Sequence, residues 1–284
     1  MAISHSKDRH LSPDFQFSQA SLQAFVDCKR RFQLRYLWDV IWPAVEAEPI
    51  AEHERRTQHG LAFHRMVQQH WLGLPEAVLT RMASDGDLVR WWANYRTYRP
   101  AEMPGMHYPE VTLTAAIAGH RLVAKYDLLV IQPGERAWIY DWKTSQKRTR
   151  SSLLKQRLQT RVYRYLLVRA GAHLNGGVSL QPSQVTMVYW FSEFPESPER
   201  LLYTVPQYED DAQYLDGLIA QIQGLDDDDF AMTENERHCQ YCPYRSYCER
   251  GIEAGHLDTM DVAVEDDDSF ALDFDFEQIA EIAF

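Results

Sequence analysis

Cysteine is scarce in this 284-residue chain: Cys28, Cys239, Cys242 and Cys248 are the whole complement. No stretch approaches eighteen consecutive apolar residues, so no transmembrane helix is expected and no membrane partner follows. The N-terminal MAISHSKDRHLSPDF has no apolar run after its basic residues, which argues against a secretory signal. The expectation is an intracellular, cytoplasmic protein whose cysteines do not form structural disulfides. There is no internal repeat and no G-x-x-x-x-G-K-[ST], so any helicase or translocase motor has to come from a partner protein. Basic residues are missing from 258–284, a segment with ten acidic ones.

What is present is enough for one large domain: 45% of the residues are hydrophobic. The formal charge of −12 argues against a polyanion partner until its distribution is considered. Outside 258–284 the chain carries 31 acidic and 29 basic residues, close to balance. From Lys143 to Arg169 there are nine Lys and Arg and no Asp or Glu. Local charge governs polyanion binding more than the total, although a basic helix is also an ordinary solvated face.

Hydrophobic periodicity divides the chain into elements. Residues 1–15 read as a disordered N-terminus. A helix is expected over 17–41, with Ser18 or Ser21 as its N-cap and Leu22, Phe25, Phe32 and Tyr36 as its apolar stripe. Further helices are expected over 53–72 and 76–98. Strands follow near 108–116 and 119–131, a turn at 132–136, and a strand over 137–143. Then come helix 151–170, strand 184–192, helix 208–224 and a Cys-rich knot over 238–249. The order predicts an α/β fold, a mixed sheet flanked by helices, with a helical N-terminal part and a Cys-rich C-terminal closure. The expected division is one domain over 16–257 and an acidic-hydrophobic tail over 258–284. The tail is a solubilising segment, a competitor for a basic groove, or a docking segment for a partner.

The strand 137–143 ends in Asp141-Trp142-Lys143. Side chains alternate along a strand, so Asp141 and Lys143 share one face. If the turn is the five-residue loop 132–136, residue 131 opposes 137 and Asp127 falls opposite Asp141. A two-residue turn would put the aspartates on opposite faces. Directly opposed carboxylates repel unless a cation lies between them, and Mg²⁺ or Mn²⁺ prefers such oxygen ligands. On helix 151–170, Leu158, Val162 and Tyr165 form the buried stripe. Gln156, Gln159 and Tyr163 flank it on one side, and Arg157, Arg161 and Arg164 on the other.

Five segments in order complete the pattern: Gly60-Leu-Ala-Phe-His64, Glu110 in PEVTL, Lys125-Tyr126-Asp127, Asp141-Trp142-Lys143-Thr144, and Gln159-Thr-Arg-Val-Tyr163. Together they resemble the PD-(D/E)XK nuclease superfamily over roughly residues 15–250. The similarity is to its RecB-type exonuclease branch, which includes the CRISPR-associated RecB-like nucleases and the AddB nuclease domain. The resemblance implies a restriction-endonuclease-like core and a metal-dependent DNA nuclease, an exonuclease on single strands or duplex ends. It implies metal ligation by His64, Asp127, Asp141 and the Trp142 backbone carbonyl, with Glu110 as a further metal-site or positioning carboxylate. Lys143 is the implied catalyst for the attacking water, supported by Gln159 and Tyr163. Arg148, Arg150, Arg157 and Arg161 are the candidate DNA contacts.

The cysteines follow a one-plus-three pattern, with Cys28 far upstream of the C-x2-C-x5-C of HCQYCPYRSYC. Four thiolates suit Zn²⁺ or an iron–sulfur cluster. The pattern resembles the 4Fe–4S staple of the same nuclease branch; zinc and unligated thiols are the alternatives. The implied partners are DNA and a helicase or integrase protein, in DNA repair, recombination or CRISPR spacer acquisition. The competing classes are a non-catalytic DNA-binding accessory and a zinc-stapled interaction protein.

Overall fold

Ser18 starts the first helix with a reciprocal cap. Its hydroxyl accepts from the Ser21 N–H while Ser21 Oγ accepts from the Ser18 N–H. This helix, α1 (Gln19–Asp27), does not run on to residue 41. Cys28 adopts an extended conformation (φ −162°, ψ 109°) and is followed by α2 (Lys29–Phe32) and a π-helical turn, Gln33–Leu37. The break turns the Cys28 side chain away from a continuous helical wheel, which periodicity alone does not foresee. The computed structural model describes residues 11–41, 48–84, 86–99, 103–240 and 242–251. The acidic tail over 258–284 lies outside the described residues, as do residues 1–10 of the expected disordered N-terminus. The rest of that N-terminal expectation needs correction. Phe15 packs edge-on against Phe17, Phe32 and Tyr36.

The remaining elements are β1 (Gln16–Phe17), α3 (Glu48–Trp71), α4 (Glu76–Met82), α5 (Gly86–Tyr98), β2 (Met106–Ile117), β3 (His120–Gln132) and β4 (Arg136–Lys143). They continue with α6 (Ser151–Gln156), α7 (Leu158–Ala170), β5 (Val185–Phe191), β6 (Glu199–Leu202) and α8 (Val205–Gln223). Two expected single helices are pairs. The segment 76–98 breaks into α4 and α5, and 151–170 breaks at Arg157 (φ −62°, ψ 140°). Strands β1 and β6 were not expected, because two and four residues carry too little pattern to register.

The strands form one mixed sheet in the order β1-β3-β4-β5-β6, with β2 also paired to β3. β2–β3, β3–β4 and β5–β6 are antiparallel, and β1–β3 and β4–β5 are parallel. The α6–α7 segment makes the crossover that a parallel β4–β5 pair requires. Helices cover both faces. Ile139, Tyr165, Leu166, Met187 and Leu215 belong to one buried cluster, which joins the sheet to α1, α7 and α8. Phe63, Trp91, Tyr95, Trp142 and Trp190 belong to the other, beneath α3 and α5. This is the mixed, helix-flanked sheet that the element order implied, and the restriction-endonuclease-like core that the resemblance implied.

The arginine side of α7 is held by α8. Asp211 accepts from Arg161 at 2.9 Å, from Arg164 at 3.3 Å and from the Tyr203 hydroxyl at 2.9 Å. Asp211 and Arg164 are both about 3% exposed. Burial pushes the Asp211 carboxyl up, against the pull of Arg164. Removing one partner of a buried pair leaves the other charge uncompensated. Asp211→Ala is therefore expected to cost roughly 3–5 kcal/mol of stability. Urea denaturation checks it, and an unchanged midpoint would show that water compensates Arg164.

Candidate active site

Sheet register brings the acidic residues into one row. Ile131 pairs with Ala137 and Leu128 with Tyr140, the register expected of a 132–136 turn, although Gln132 and Arg136 also pair and leave a loop of 133–135; Asp127 and Asp141 thus face each other one step beyond the last pair. Pro109 pairs with Leu128 and Val111 with Tyr126, which puts Glu110 across from Asp127. Tyr189 of β5 is the register partner of Asp141. Glu110, Asp127 and Asp141 thus stand on three adjacent strands at one level.

The two aspartates keep the register expected of them, but β3 carries a phase shift at Asp127. Leu122, Ala124 and Tyr126 of β3 pack into the first cluster, and so do Leu129 and Ile131, while Leu128 and Val130 pack into the second. The alternation slips by one residue at Asp127. β2 slips at the same level: Val111, Leu113 and Tyr108 all meet the first cluster, and Glu110 takes φ 53°. A non-glycine residue in that region carries strain, which clusters at functional sites. The slip frees Asp127 from a simple in-or-out position.

Asp127 Oδ2 accepts the Trp142 backbone N–H at 2.8 Å, so a side chain takes the bond that the next ladder step would have made. Asp127 Oδ1 lies 3.2 Å from His64 Nδ1 on α3. Gly60, one turn before His64, permits this approach, because a Cβ there would lie 3.1 Å from Thr144 Oγ1 at the end of β4. Burial works to raise the Asp127 pKa. The charge and hydrogen bond of His64, the Trp142 N–H and the Lys143 ammonium outweigh it and hold the carboxyl below its usual range. Glu110 is displaced the other way: burial and then the Asp127 charge raise it, against Lys125, whose Nζ lies 2.5 Å from Glu110 Oε2.

Asp141 and Lys143 are almost fully buried and lie 3.2 Å apart (Oδ2 to Nζ). Gln159 at the start of α7 donates to Asp141 Oδ1 at 2.7 Å. Tyr163, one turn on, is hydrogen-bonded to Gln159. Burial, then the charges of Asp141 and Asp127, raise its hydroxyl pKa. Tyr163 also packs on Tyr126 at 4.9 Å between ring centroids, and the Tyr126 hydroxyl donates to the Tyr163 carbonyl. His64, Glu110, Asp127, Asp141, Lys143, Gln159 and Tyr163 are therefore one connected group.

The candidate DNA contacts divide. Arg150 is exposed at the N-cap of α6. Arg148 pairs with Glu199 of β6 at 2.7 Å, and Arg157 donates to Thr149 Oγ1 at 3.4 Å. Arg161 is corrected: Asp210 and Asp211 hold it against α8, which commits its guanidinium to packing. Sequence reasoning overlooked Tyr189 and the Glu110–Lys125 pair. An aromatic within the apolar run of β5 carries no chemical signal, and the second depended on register.

Two donor sets suit metal chemistry. The first is carboxylate and imidazole: burial and then the Asp127 charge raise Glu110, a charge repulsion of the kind a divalent cation relieves, and hard oxygen ligands match Mg²⁺ or Mn²⁺. The second is the cysteines. Burial pushes the Cys239, Cys242 and Cys248 thiols up, Cys242 to about 11, and the neighbouring Cys28 adds to each. The Tyr244 backbone N–H bonds to Cys242 and opposes its shift, as it would stabilise a thiolate. Four gathered thiols suit a soft metal centre. Among the described residues no three His, Cys, Asp or Glu side chains are already closed around a point as a bound ion would require. The carboxylates turn instead to Lys125, His64, Gln159 and Lys143. No described helix is long and apolar enough to cross a membrane.

A helix-covered mixed sheet with an acidic row and a lysine at the end of its central strand defines a restriction-endonuclease-like protein. The chain matches the sequence model of the PD-(D/E)XK nuclease superfamily over residues 16–249 and belongs to that superfamily. It is a nuclease by family, and nucleases of this family use divalent metals such as Mg²⁺ and Mn²⁺. Among solved structures, one from Eubacterium rectale, named provisionally as an exonuclease, is similar at 9% identity and a TM-score of 0.48, covering 77% of this chain and 84% of that one. The structure of SSO0001 is similar at 11% identity and a TM-score of 0.40, covering 85% of this chain and 89% of that one. A search of curated proteins finds no match.

Proposed function

We propose that the protein is a divalent-metal-dependent exodeoxyribonuclease of the RecB-type branch, acting on single strands or DNA ends. The observation that carries this reading is the row Glu110–Asp127–Asp141 with the buried Lys143 beside it. Asp127, Asp141, His64 and the Trp142 carbonyl would hold Mg²⁺ or Mn²⁺, with Glu110 in support. When bound, the metal activates water and offsets charge developing on the phosphate. Lys143 orients the attacking water or takes its proton. Gln159 fixes Asp141, and Tyr163 braces Gln159. Arg148 and Arg150, just beyond β4, and Arg157, between α6 and α7, receive the DNA backbone.

The same reading assigns residues 16–257 to one domain closed by a 4Fe–4S cluster on Cys28, Cys239, Cys242 and Cys248. It gives residues 258–284 a solubilising role and places the protein in the cytoplasm beside a helicase or integrase partner. The part of the Lys143–Arg169 basic run that α8 does not hold supports the DNA substrate, and the electrostatic influence of Cys28 on Cys239, Cys242 and Cys248 supports the cluster.

End-labelled linear and covalently closed circular single-stranded DNA, incubated with Mg²⁺ or Mn²⁺, test it. The linear strand is expected to be degraded and the circle spared, with Asp141→Asn inactive on both. Cutting of the circle would overturn the exonuclease assignment, and the ladder of linear products gives polarity.

A further inference from the structure

Tyr189 is a fully buried tyrosine beside the acidic row to which the proposed chemistry gives no task. It is the register partner of Asp141 and diagonal to Lys143. The Lys143 ammonium stands over its ring at 5.8 Å from the centroid, within the range of a cation–π contact, which strengthens when water is excluded. Its hydroxyl lies 2.6 Å from Thr160 Oγ1. Thr160 Oγ1 in turn donates to the Leu154 carbonyl at 2.5 Å, bridging the break between α6 and α7. Thr160 follows Gln159, the residue that donates to Asp141. One side chain on β5 therefore touches both supports of Asp141: the lysine through its ring face, and the first turn of α7 through its hydroxyl.

The break at Arg157 makes this connection matter. At the C-terminus of α6 the N–H of Arg157 bonds the Leu154 carbonyl at 3.3 Å, and α7 restarts in a new direction. No continuous helix fixes the angle at which Gln159 reaches the sheet. The chain Tyr189 hydroxyl–Thr160 hydroxyl–Leu154 carbonyl ties both helices to β5 in place of a helical backbone. Lys143 has a flexible four-carbon stem and depends on its surroundings for direction. A ring beneath it and a carboxylate beside it supply that direction.

We propose that Tyr189 is a positioning residue of the active site, its ring aiming Lys143 and its hydroxyl, through Thr160, setting Gln159 against Asp141. This rests on the nuclease reading above and goes beyond it, since neither Tyr189 nor Thr160 touches substrate. Losing a buried hydrogen bond and losing a fixed geometry have different sizes, which separates the two parts.

Tyr189→Phe keeps the ring and loses the hydroxyl; it is expected to lower kcat on linear single-stranded DNA about 5-fold. Thr160→Val, which also loses the bond to the Leu154 carbonyl, is expected to lower it at least as much, and the double variant to be no slower than Thr160→Val, because the Tyr189 hydroxyl acts only through Thr160. Tyr189→Leu removes the ring as well and is expected to lower kcat about 100-fold, with KM within about 3-fold. A structural role alone predicts a lower melting temperature with kcat retained in the folded fraction. That result for Tyr189→Leu, beside an inactive Lys143→Ala, overturns the positioning role and leaves the nuclease reading intact. If the wild type itself cuts no DNA, the nuclease reading fails, and a crystal structure of Tyr189→Leu decides the positioning role. The 3.2 Å Lys143–Asp141 separation is expected to open; an unchanged separation overturns it.

Discussion

Lys143→Ala is expected to lower the rate of DNA cleavage by about 10²–10⁴-fold, the usual contribution of a positioned acid–base group. DNA affinity is expected to stay within about 3-fold, because in the proposed reading the arginines beyond β4, not Lys143, would receive the phosphates. The expectation follows from burial. A lysine only 2% exposed gives up its hydration, and an aspartate 3.2 Å away offsets that loss. Lys143 and Asp141 at the end of a central strand admit two interpretations, an ion pair that closes the sheet or a catalyst beside a metal ligand. An ion pair predicts a destabilised variant whose folded fraction cuts normally. A catalyst predicts a folded variant that binds and does not cut. Single-turnover cleavage and a binding isotherm on the same preparation distinguish them. A loss under about 10-fold would reduce Lys143 to Asp141's counter-ion. Lys143→Arg sharpens the comparison: it keeps the charge, but its proton is far harder to remove and its fork geometry differs.

The acidic row was legible in the sequence because it depends on one local fact, the length of the 132–136 turn. Once residue 131 opposes 137, Asp127 meets Asp141, and the structure has that register. Gln159 and Tyr163 were legible for a similar reason, their four-residue spacing on a helix. The phase slip at Asp127 was not. It arises from the paired departure of Glu110 and Asp127 from regular alternation, and no residue type marks it. Helix breaks were also hidden. Neither Cys28 nor Arg157 is a glycine or a proline, and each sits within an otherwise helical pattern. Tertiary contacts select those conformations: Thr160 reaching Leu154 in one case, the thiol-rich knot in the other. The misplacement of Arg161 has the same origin. A helical wheel separates an arginine stripe from an apolar one but cannot show that α8 presents Asp210 and Asp211 to it. Local spacing fixed which groups lie on one element, and the partners that commit them came from elements far along the chain.

Cys28 supplies the second large effect. It sits at the break between α1 and α2, 211 positions before Cys239. Contacts already join these distant regions. His238 Nδ1 lies 2.9 Å from the Asp27 carbonyl, the Tyr244 hydroxyl donates to the Val40 carbonyl at 3.1 Å, and Leu34 packs with Cys242 and Tyr244. That patch is small, and a bound metal centre would cross-link what it only holds in contact. In the chain-entropy account, closing a loop of this length contributes about 5 kcal/mol. Cys28→Ala is expected to lose that closure, together with the bound metal, and to melt on the order of 10 °C lower in a domain of this size. Anaerobic purification with metal analysis gives the identity of the centre in the same experiment. About four irons and sulfide in the wild type, absent from the variant, support the proposed cluster. One zinc per chain would replace the cluster with a tetrahedral thiolate site and leave the stability prediction standing. Equal metal content and equal melting in both proteins would mean that the knot folds on its apolar contacts, with the thiols holding no metal.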